Sequence, residues 1–398
     1  MRSVPAARVA LASLAFLALG LPDGLLGVAW PAMRTHFGLP LDALGPLLVT
    51  FAGGYVAASS AGGRLLAVLG VGRLLALSCA ATALSLVGYA GAGAFWMVVV
   101  LGLVAGAGAG GIDAGINIYA AAQHGPRMLN WLHACYGIGA TGGPLILTAV
   151  LTTRGSWREG YVIVGAAQFG LASVFAATLW LWPPVNRAGG GRGGECAPLR
   201  ATLGLPAARR GIALFFCYTG LELAVGTLLF TLLTEGRGRT MAAAGAAVAS
   251  YWAALTGGRL IGAALASRTE PAVLVRVCLT TLTLGLGALL TNWSSTADLV
   301  GLVLAGFGAG PVFPTLVATT AARVGGPHAG NAIGLQVAAA VLGQATLPSL
   351  LAVLGRRAGL EALTLGLTTL GVLVVWLHCA AMATGRRNAA GPRPATGE

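Results

Sequence analysis

Charge is scarce in this sequence. Asp, Glu, Lys and Arg make up 9% of its 398 residues, where a water-soluble domain carries about a quarter. Hydrophobic residues make up 57%, and the mean hydropathy is +0.83. A chain of this kind cannot coat itself for water, but it can face lipid. Lysine is missing altogether, all 24 basic residues being Arg. The resulting net charge of +13 invites a nucleic-acid reading, yet the Arg residues follow the breaks between apolar runs and build no basic surface, which excludes it. Six cysteines are present with no CxxC pair, so neither a disulfide framework nor a zinc site is expected, and they read as small packing residues. There is no GxxxxGK(S/T) phosphate loop and no HExxH. That leaves no enzyme pattern, no cofactor and no metal to expect. Without a nucleotide-binding domain, any work must draw on an ion gradient or on the solute's own gradient.

What is abundant is long apolar runs. Stretches of roughly 20 to 27 residues, the length that spans a bilayer, alternate with short breaks carrying Arg, Gly and Pro. They predict helices near 9–33, 43–66, 73–91, 95–121, 128–152, 160–182, 211–233, 241–266, 271–291, 297–321, 329–354 and 361–384. The first run follows Arg2 and Arg8 like a signal peptide, but it continues through Pro22-Asp23-Gly24 to Trp30 with no small-residue cleavage site, so it counts as a span. With an even number of spans, only Arg34, Arg154, Arg158, Arg237, Arg239, Arg356 and Arg357 fall on the side opposite the termini. The positive-inside rule then places both termini in the cytoplasm of a multi-pass protein, expected in a bacterial inner membrane.

The fold class expected is therefore all-α, with twelve transmembrane helices in two pseudo-symmetric six-helix bundles. The longest polar break, rich in Gly and Arg, suggests an N-terminal bundle over 1–182, a cytoplasmic linker over 183–210, a C-terminal bundle over 211–385 and a cytoplasmic tail over 386–398. Internal similarity supports the division. Asp23 and Gly27 match Glu222 and Gly226 at an offset of 199, and Gly62-Gly63-Arg64 matches Gly257-Gly258-Arg259 at 195. The glycines 106, 108 and 110 match 306, 308 and 310 at 200, while Gly139 and Pro144 match Gly343 and Pro348 at 204. Four matches in order, at nearly constant offset, indicate duplication, and parallel halves of this kind bind solute between them near the bilayer centre.

Eight of the eleven acids lie in loops, termini or helix ends, and three remain inside spans: Asp23, Asp113 and Glu222. A carboxylate at mid-helix costs about 2.5–3.5 kcal/mol on insertion scales, so it faces the bundle interior or a wet cavity. No Arg is expected at matching depth, which makes the three natural proton carriers. Asn117 follows Asp113 by one helical turn and shares its face. His133, on the next span, reaches comparable depth and is a candidate relay partner for Asp113; a packing role weighs equally. In the second half the mid-membrane polar groups are Tyr218, Glu222, Tyr251, Trp252, Gln336 and Gln344. Phe313 and Pro314 stand where the repeat would place Asp113 and Ala114. Proton handling is thus expected chiefly in the first half, with substrate contacts from both: Asn117, Asn130, Tyr218, Trp252, Gln336 and Gln344. Amide, phenol and indole groups suit a neutral polyol or sugar.

Three stretches carry a resemblance to a known family: the acid Asp23 in the first span, Gly111-Ile112-Asp113-Ala114-Gly115-Ile116-Asn117 in the fourth, and Met128-Leu129-Asn130-Trp131-Leu132-His133 with Tyr136-Gly137-Ile138-Gly139-Ala140 and Gly143-Pro144 in the fifth. The chain resembles the major facilitator superfamily over nearly its whole length, and within it the fucose-permease-like proton:sugar symporters. That resemblance implies substrate-binding and proton-coupling roles for Asp23 and Asp113, although the group usually carries Glu where Asp113 stands. It also departs from the superfamily's loop signature between spans two and three, where Ala67 replaces the usual Asp. Gly139, Gly143 and Pro144 partly match a drug:proton antiporter signature, with Leu145-Ile146 in place of its trailing glycines. The function expected is a proton-coupled secondary transporter importing a small neutral sugar-like solute by alternating access, monomeric, its partners being that solute, protons and the lipid bilayer. The rivals are a proton-driven exporter of drugs or metabolites and, further off, a non-transporting membrane sensor.

Overall fold

In the computed structural model, residues 3–123, 126–182, 197–265 and 268–389 are described. Among them every element is helical. The order is α1 (Ser3–Phe37), α2 (Leu44–Gly91), α3 (Phe95–Gln123), α4 (Pro126–Arg154), α5 (Trp157–Ala177), α6 (Leu199–Gly204) and α7 (Pro206–Thr231), the last prolonged by a π turn (Leu232–Gly236). Then come α8 (Met241–Leu265), α9 (Pro271–Thr291), α10 (Ser295–Ala309), α11 (Val312–Ala318), α12 (Thr320–Val324), α13 (Gly326–Ala358) and α14 (Ala362–Ala389).

Ten helical segments are long and apolar enough to cross a membrane, and one of them, 41–91, holds 51 residues. At 1.5 Å per residue it would extend about 77 Å, far beyond a hydrocarbon core of about 30 Å. It turns back at Gly70, whose φ of 72° and ψ of 168° only glycine adopts without strain. Divided there, it provides two spans. The Gly, Ser, Tyr and Arg content of α8 keeps it out of that apolar set, and it completes the twelve. The tenth expected span arrives in three pieces, α10 to α12, because Gly310-Pro311 interrupts the helical ladder and a second break follows at Thr319. The seventh begins at Pro206, earlier than the expected 211, with α6 just before it. Proline at the first helical position fits that start.

In the first bundle α2 packs on α3 and α5, and α1 on α4; in the second α7 packs on α13, and α10 on α8 and α9. Arg8 bonds the Leu181 carbonyl and Arg210 the Ala380 carbonyl. Within each bundle the first helix therefore starts where the last span ends, on what we call the linker side. The bundles meet through α1 on α7, α4 on α8, and α2 on α13. Many of these cross-contacts sit towards the opposite, far side: Arg34 pairs with Glu235, Arg356 Nε lies 2.8 Å from Asp42 Oδ1, and Gly45 backs onto Ser349.

Backbone contacts fix the register of the repeat. Gly106 and Gly110 of α3 press on the carbonyls of Phe51 and Tyr55 of α2, and Gly306 and Gly310 press on those of Tyr251 and Leu255 of α8. All four correspondences share the offset of 200, and a side chain at any of these glycines would collide with backbone. On that register Arg259 falls on Ser59, not on Arg64. The Gly-Gly-Arg match at 195 is therefore coincidental, and Arg259 sits deeper than a loop residue, about 9 Å from the end of α8.

Candidate functional site

Asp113 lies ten residues before the end of α3, half-buried, with both carboxylate oxygens engaged. Tyr55 of α2 donates its hydroxyl to Oδ2 at 2.6 Å, and Asn117, one turn along the same helix, donates its amide to Oδ1 at 2.9 Å. Both donors are neutral. Asp23 of α1 is held in the same manner by Tyr136 of α4, whose hydroxyl donates to Oδ2 at 2.6 Å. The first bundle thus holds two acid–phenol pairs, Asp113 with Tyr55 and Asp23 with Tyr136.

Glu222 of α7 differs. Arg259 of α8 approaches Oε1 at 3.3 Å, the two side chains being 11% and 17% exposed. The expectation that no Arg reaches the depth of the acids is thus corrected for Glu222, because packing carries Arg259 further in than its sequence neighbourhood implied. Tyr251 donates to the Glu222 backbone carbonyl at 3.0 Å. Tyr218 lies within hydrogen-bond reach of both Glu222 Oε2 and the Ala309 carbonyl, the latter at 2.7 Å. A phenol has one proton for these two acceptors. Glu222 consequently has two self-consistent states: ionised against Arg259 and accepting from Tyr218, or protonated and donating to Tyr218, which then donates to Ala309. Across the seam, the Arg259 guanidinium sits 5.9 Å from the centroid of the Tyr136 ring. The acid–phenol pair of one bundle and the acid–guanidinium pair of the other therefore meet between the halves.

The remaining expected residues disperse. His133 packs edge-on against Phe16 with ring centroids 5.5 Å apart, and the Asp113 oxygens are taken by Tyr55 and Asn117, so the expected Asp113–His133 pair does not form. Gln336 is buried away from these acids, its carbonyl accepting from Thr320 at 2.8 Å and its amide lying against Gly211. The Trp252 ring packs on Gly226 and on Tyr251. Gln344 is half-buried and has no hydrogen-bond partner among the described residues. The Asn130 side chain lies outside the described residues. No group of His, Cys, Asp and Glu among the described residues is arranged to hold a metal. Sequence reasoning missed Tyr55 and the pairing role of Arg259. The available signal for Tyr55 was a lone phenol in an apolar run facing the glycine-rich stretch that precedes Asp113.

The sequence matches the family model of the Major Facilitator Superfamily over residues 12–348. The chain belongs to the major facilitator superfamily. Solved structures agree on the fold. A D-xylose–proton symporter superposes with a TM-score of 0.76 at 14% identity, covering 93% of this chain and 96% of that one. The nucleoside transporter NupG gives 0.76 at 14% identity over 93% and 98%. A bacterial homolog of the human lysosomal transporter Spinster, inward-facing and occupied, gives 0.71 at 15% identity over 97% of each chain. No curated protein matches the sequence. As a facilitator-superfamily member this is a multi-pass membrane transporter, and its Asp23–Tyr136 and Glu222–Arg259 pairs adjoin where α4 meets α8.

Proposed function

We propose that this superfamily member couples proton movement to import of a small, neutral, sugar-like solute by alternating access, with Asp113 as the principal proton site. The observation that carries this reading is a half-buried carboxylate at membrane depth held by two neutral donors, Tyr55 and Asn117, with no cation paired to it among the described residues. A charged carboxylate in that position is costly, so proton uptake and release there are coupled to the surroundings that solvate it. Asp23, held by Tyr136, shares this character. Glu222 assists from the other bundle, where its charge is balanced by Arg259. The fold shared with a D-xylose–proton symporter and the fucose-permease-like residues around Asp113 support both the coupling and the solute class. In this reading the protein works as a monomer in a bacterial inner membrane with both termini cytoplasmic, and the bundles 1–182 and 211–385 rock about the linker.

The test is transport by protein reconstituted in proteoliposomes with an imposed proton gradient. Asp113→Asn keeps the shape and one of the two acceptor oxygens but cannot cycle a proton. Uphill accumulation is expected to collapse, while solute counterflow at equal pH continues. Accumulation at the wild-type level, or loss of counterflow together with accumulation in a folded variant, removes Asp113 from the coupling role.

A further inference from the structure

We propose that the far-side cavity between the bundles and the closed seam beneath it form a reception site for neutral, hydroxyl-rich solutes, with Thr148, Thr231 and the Trp252 indole as its hydrogen-bonding contacts once the seam parts. The proposal deepens the transport reading above and rests on it.

A cavity of about 570 Å3 opens on the far side, walled by both bundles, a volume within the range of small-molecule sites. Its deepest lining residues adjoin the seam. Val28 follows Gly27, which abuts Gly226 and Thr227 of α7. Phe230 precedes Thr231, and Leu151 lies about one turn beyond Thr148. Met241 stands one turn before Gly245, which abuts the Thr148 side chain. The cavity therefore ends on the layer where α1 meets α7 and α4 meets α8.

In that layer three buried polar atoms have no hydrogen-bond partner among the described residues: Thr148 Oγ1, Thr231 Oγ1 and Trp252 Nε1. Stranded hydroxyls are not the habit of these helices. Thr141, Thr152, Thr219, Thr227, Thr234 and Thr256 all donate to a carbonyl one turn back. Thr148 instead points at Gly245 of the opposite bundle. Thr231, four residues beyond Thr227, shares the face that meets α1. Trp252 is 2% exposed and lies against Gly226, two turns below Gly245. Each unpaired group disfavours the closed arrangement, and that penalty is relieved when the seam opens and a solute takes its place. Two hydroxyls that donate or accept and one indole N–H that only donates, between apolar walls, match a solute bearing hydroxyl groups. The charges nearby are already engaged: Glu235 is paired with Arg34, and Arg158 with the carbonyls of Ala90 and Ala92.

Thr148→Val, Thr231→Val and Trp252→Phe remove the polar atom and keep most of the shape. With D-xylose as probe, each variant is expected to raise the KM for uptake from the far side about two- to tenfold, the value of one hydrogen bond. The KM measured from the linker side and the thermal stability should not fall. Thr231→Cys is expected to react with a membrane-impermeant thiol reagent applied from the far side, more slowly when D-xylose is present. Absence of that reaction overturns the seam as a path, whatever the solute. Reaction that D-xylose leaves unslowed, or unchanged far-side KM in all three variants, overturns the solute contacts. A wild type that moves neither D-xylose nor any other neutral sugar overturns the transport reading and the solute class together, and the cysteine reaction still decides whether the seam opens.

Discussion

The Glu222–Arg259 pair yields a stability prediction that needs no substrate. The two charges are 3.3 Å apart and mostly shielded, so their Coulomb attraction is about 5 kcal/mol at an effective dielectric near 20. Desolvation of both groups offsets most of that, and the pair adds little net stability against an apolar replacement. Removing one partner is a different matter, because it leaves a shielded charge uncompensated at about 3–5 kcal/mol. The two single substitutions should then be unequal. In Arg259→Met the orphaned Glu222 escapes by binding a proton, which it donates to Tyr218 while Tyr218 donates to the Ala309 carbonyl. In Glu222→Gln the orphaned guanidinium has no such exit, since Arg stays protonated at any accessible pH, and only the Tyr136 ring lies near it. For a cooperative unit the size of one bundle, 1 kcal/mol is about 2–4 °C. Glu222→Gln should therefore lower the melting temperature by roughly 6–20 °C. Arg259→Met should lower it by about half as much, and the double variant should return to within about 3 °C of wild type. Intrinsic-fluorescence melts of detergent-purified protein at pH 7 and low salt measure all four proteins. Equal losses in the two single variants, or a double variant whose loss is the sum of both, would refute the argument.

Two further outcomes follow from the far side and from the turn between spans two and three. Arg237 binds both oxygens of Glu361 at 2.8 Å and holds that carboxyl below its ordinary value of 4.5. Its contribution is therefore complete at neutral pH and fades as the pH falls below about 4.5 through the depressed folded value. Acid melts of the wild type should show this loss and those of Glu361→Gln should lack it, with a small amplitude because Glu361 is half exposed; identical acid profiles count against the assignment. Gly70→Ala places a Cβ on a backbone at φ 72° and ψ 168°. It should destabilise the protein by about 1–3 kcal/mol in the same melts, and an unchanged melt means that the turn is not held in this geometry.

The twelve spans were legible because bilayer thickness converts directly into a length of apolar sequence, and nothing in the packing alters that constraint. The duplication was legible too, but its register was not. In a chain with 62 glycines, Gly-Gly-Arg recurs by composition, and only the carbonyls under Gly106, Gly110, Gly306 and Gly310 reveal which residues correspond. That error of about one turn concealed Arg259, which therefore looked like a loop cation. Asp113 with Asn117 was legible from helical spacing within one segment. Tyr55 was not, because its contact with Asp113 depends on how two parallel helices distant in sequence slide against each other. Gln336 went astray for a related reason: an amide at membrane depth signals burial, and the Thr320 hydroxyl satisfies it as well as a solute would.

The far side shows why such a molecule can rock without loosening. In the first bundle Arg158 at the start of α5 reaches the Ala90 and Ala92 carbonyls and the His36 ring. In the second, Arg237 after α7 reaches the Leu289 carbonyl, Asp298 and Glu361. His36 corresponds to Arg237, Arg158 to Glu361 and Ala90 to Leu289, at offsets of 201, 203 and 199. The same three corners are tied in both bundles, with the cation moved from one corner to another. Arg237 and Asp298 are only 2% and 4% exposed, so this clasp is shielded from solvent and costly to break by removing one partner, and each bundle's far end is tied within itself. The ion pairs between the bundles, Arg34–Glu235 and Asp42–Arg356, are partly exposed, and such pairs contribute about 0–1 kcal/mol each. The far-side polar ties thus run mainly within the bundles. What closes the seam is glycine-mediated packing, which is short-ranged and is lost together when the helices part. An arrangement stiff within each half and weakly joined between them is what the proposed rocking of one bundle against the other requires.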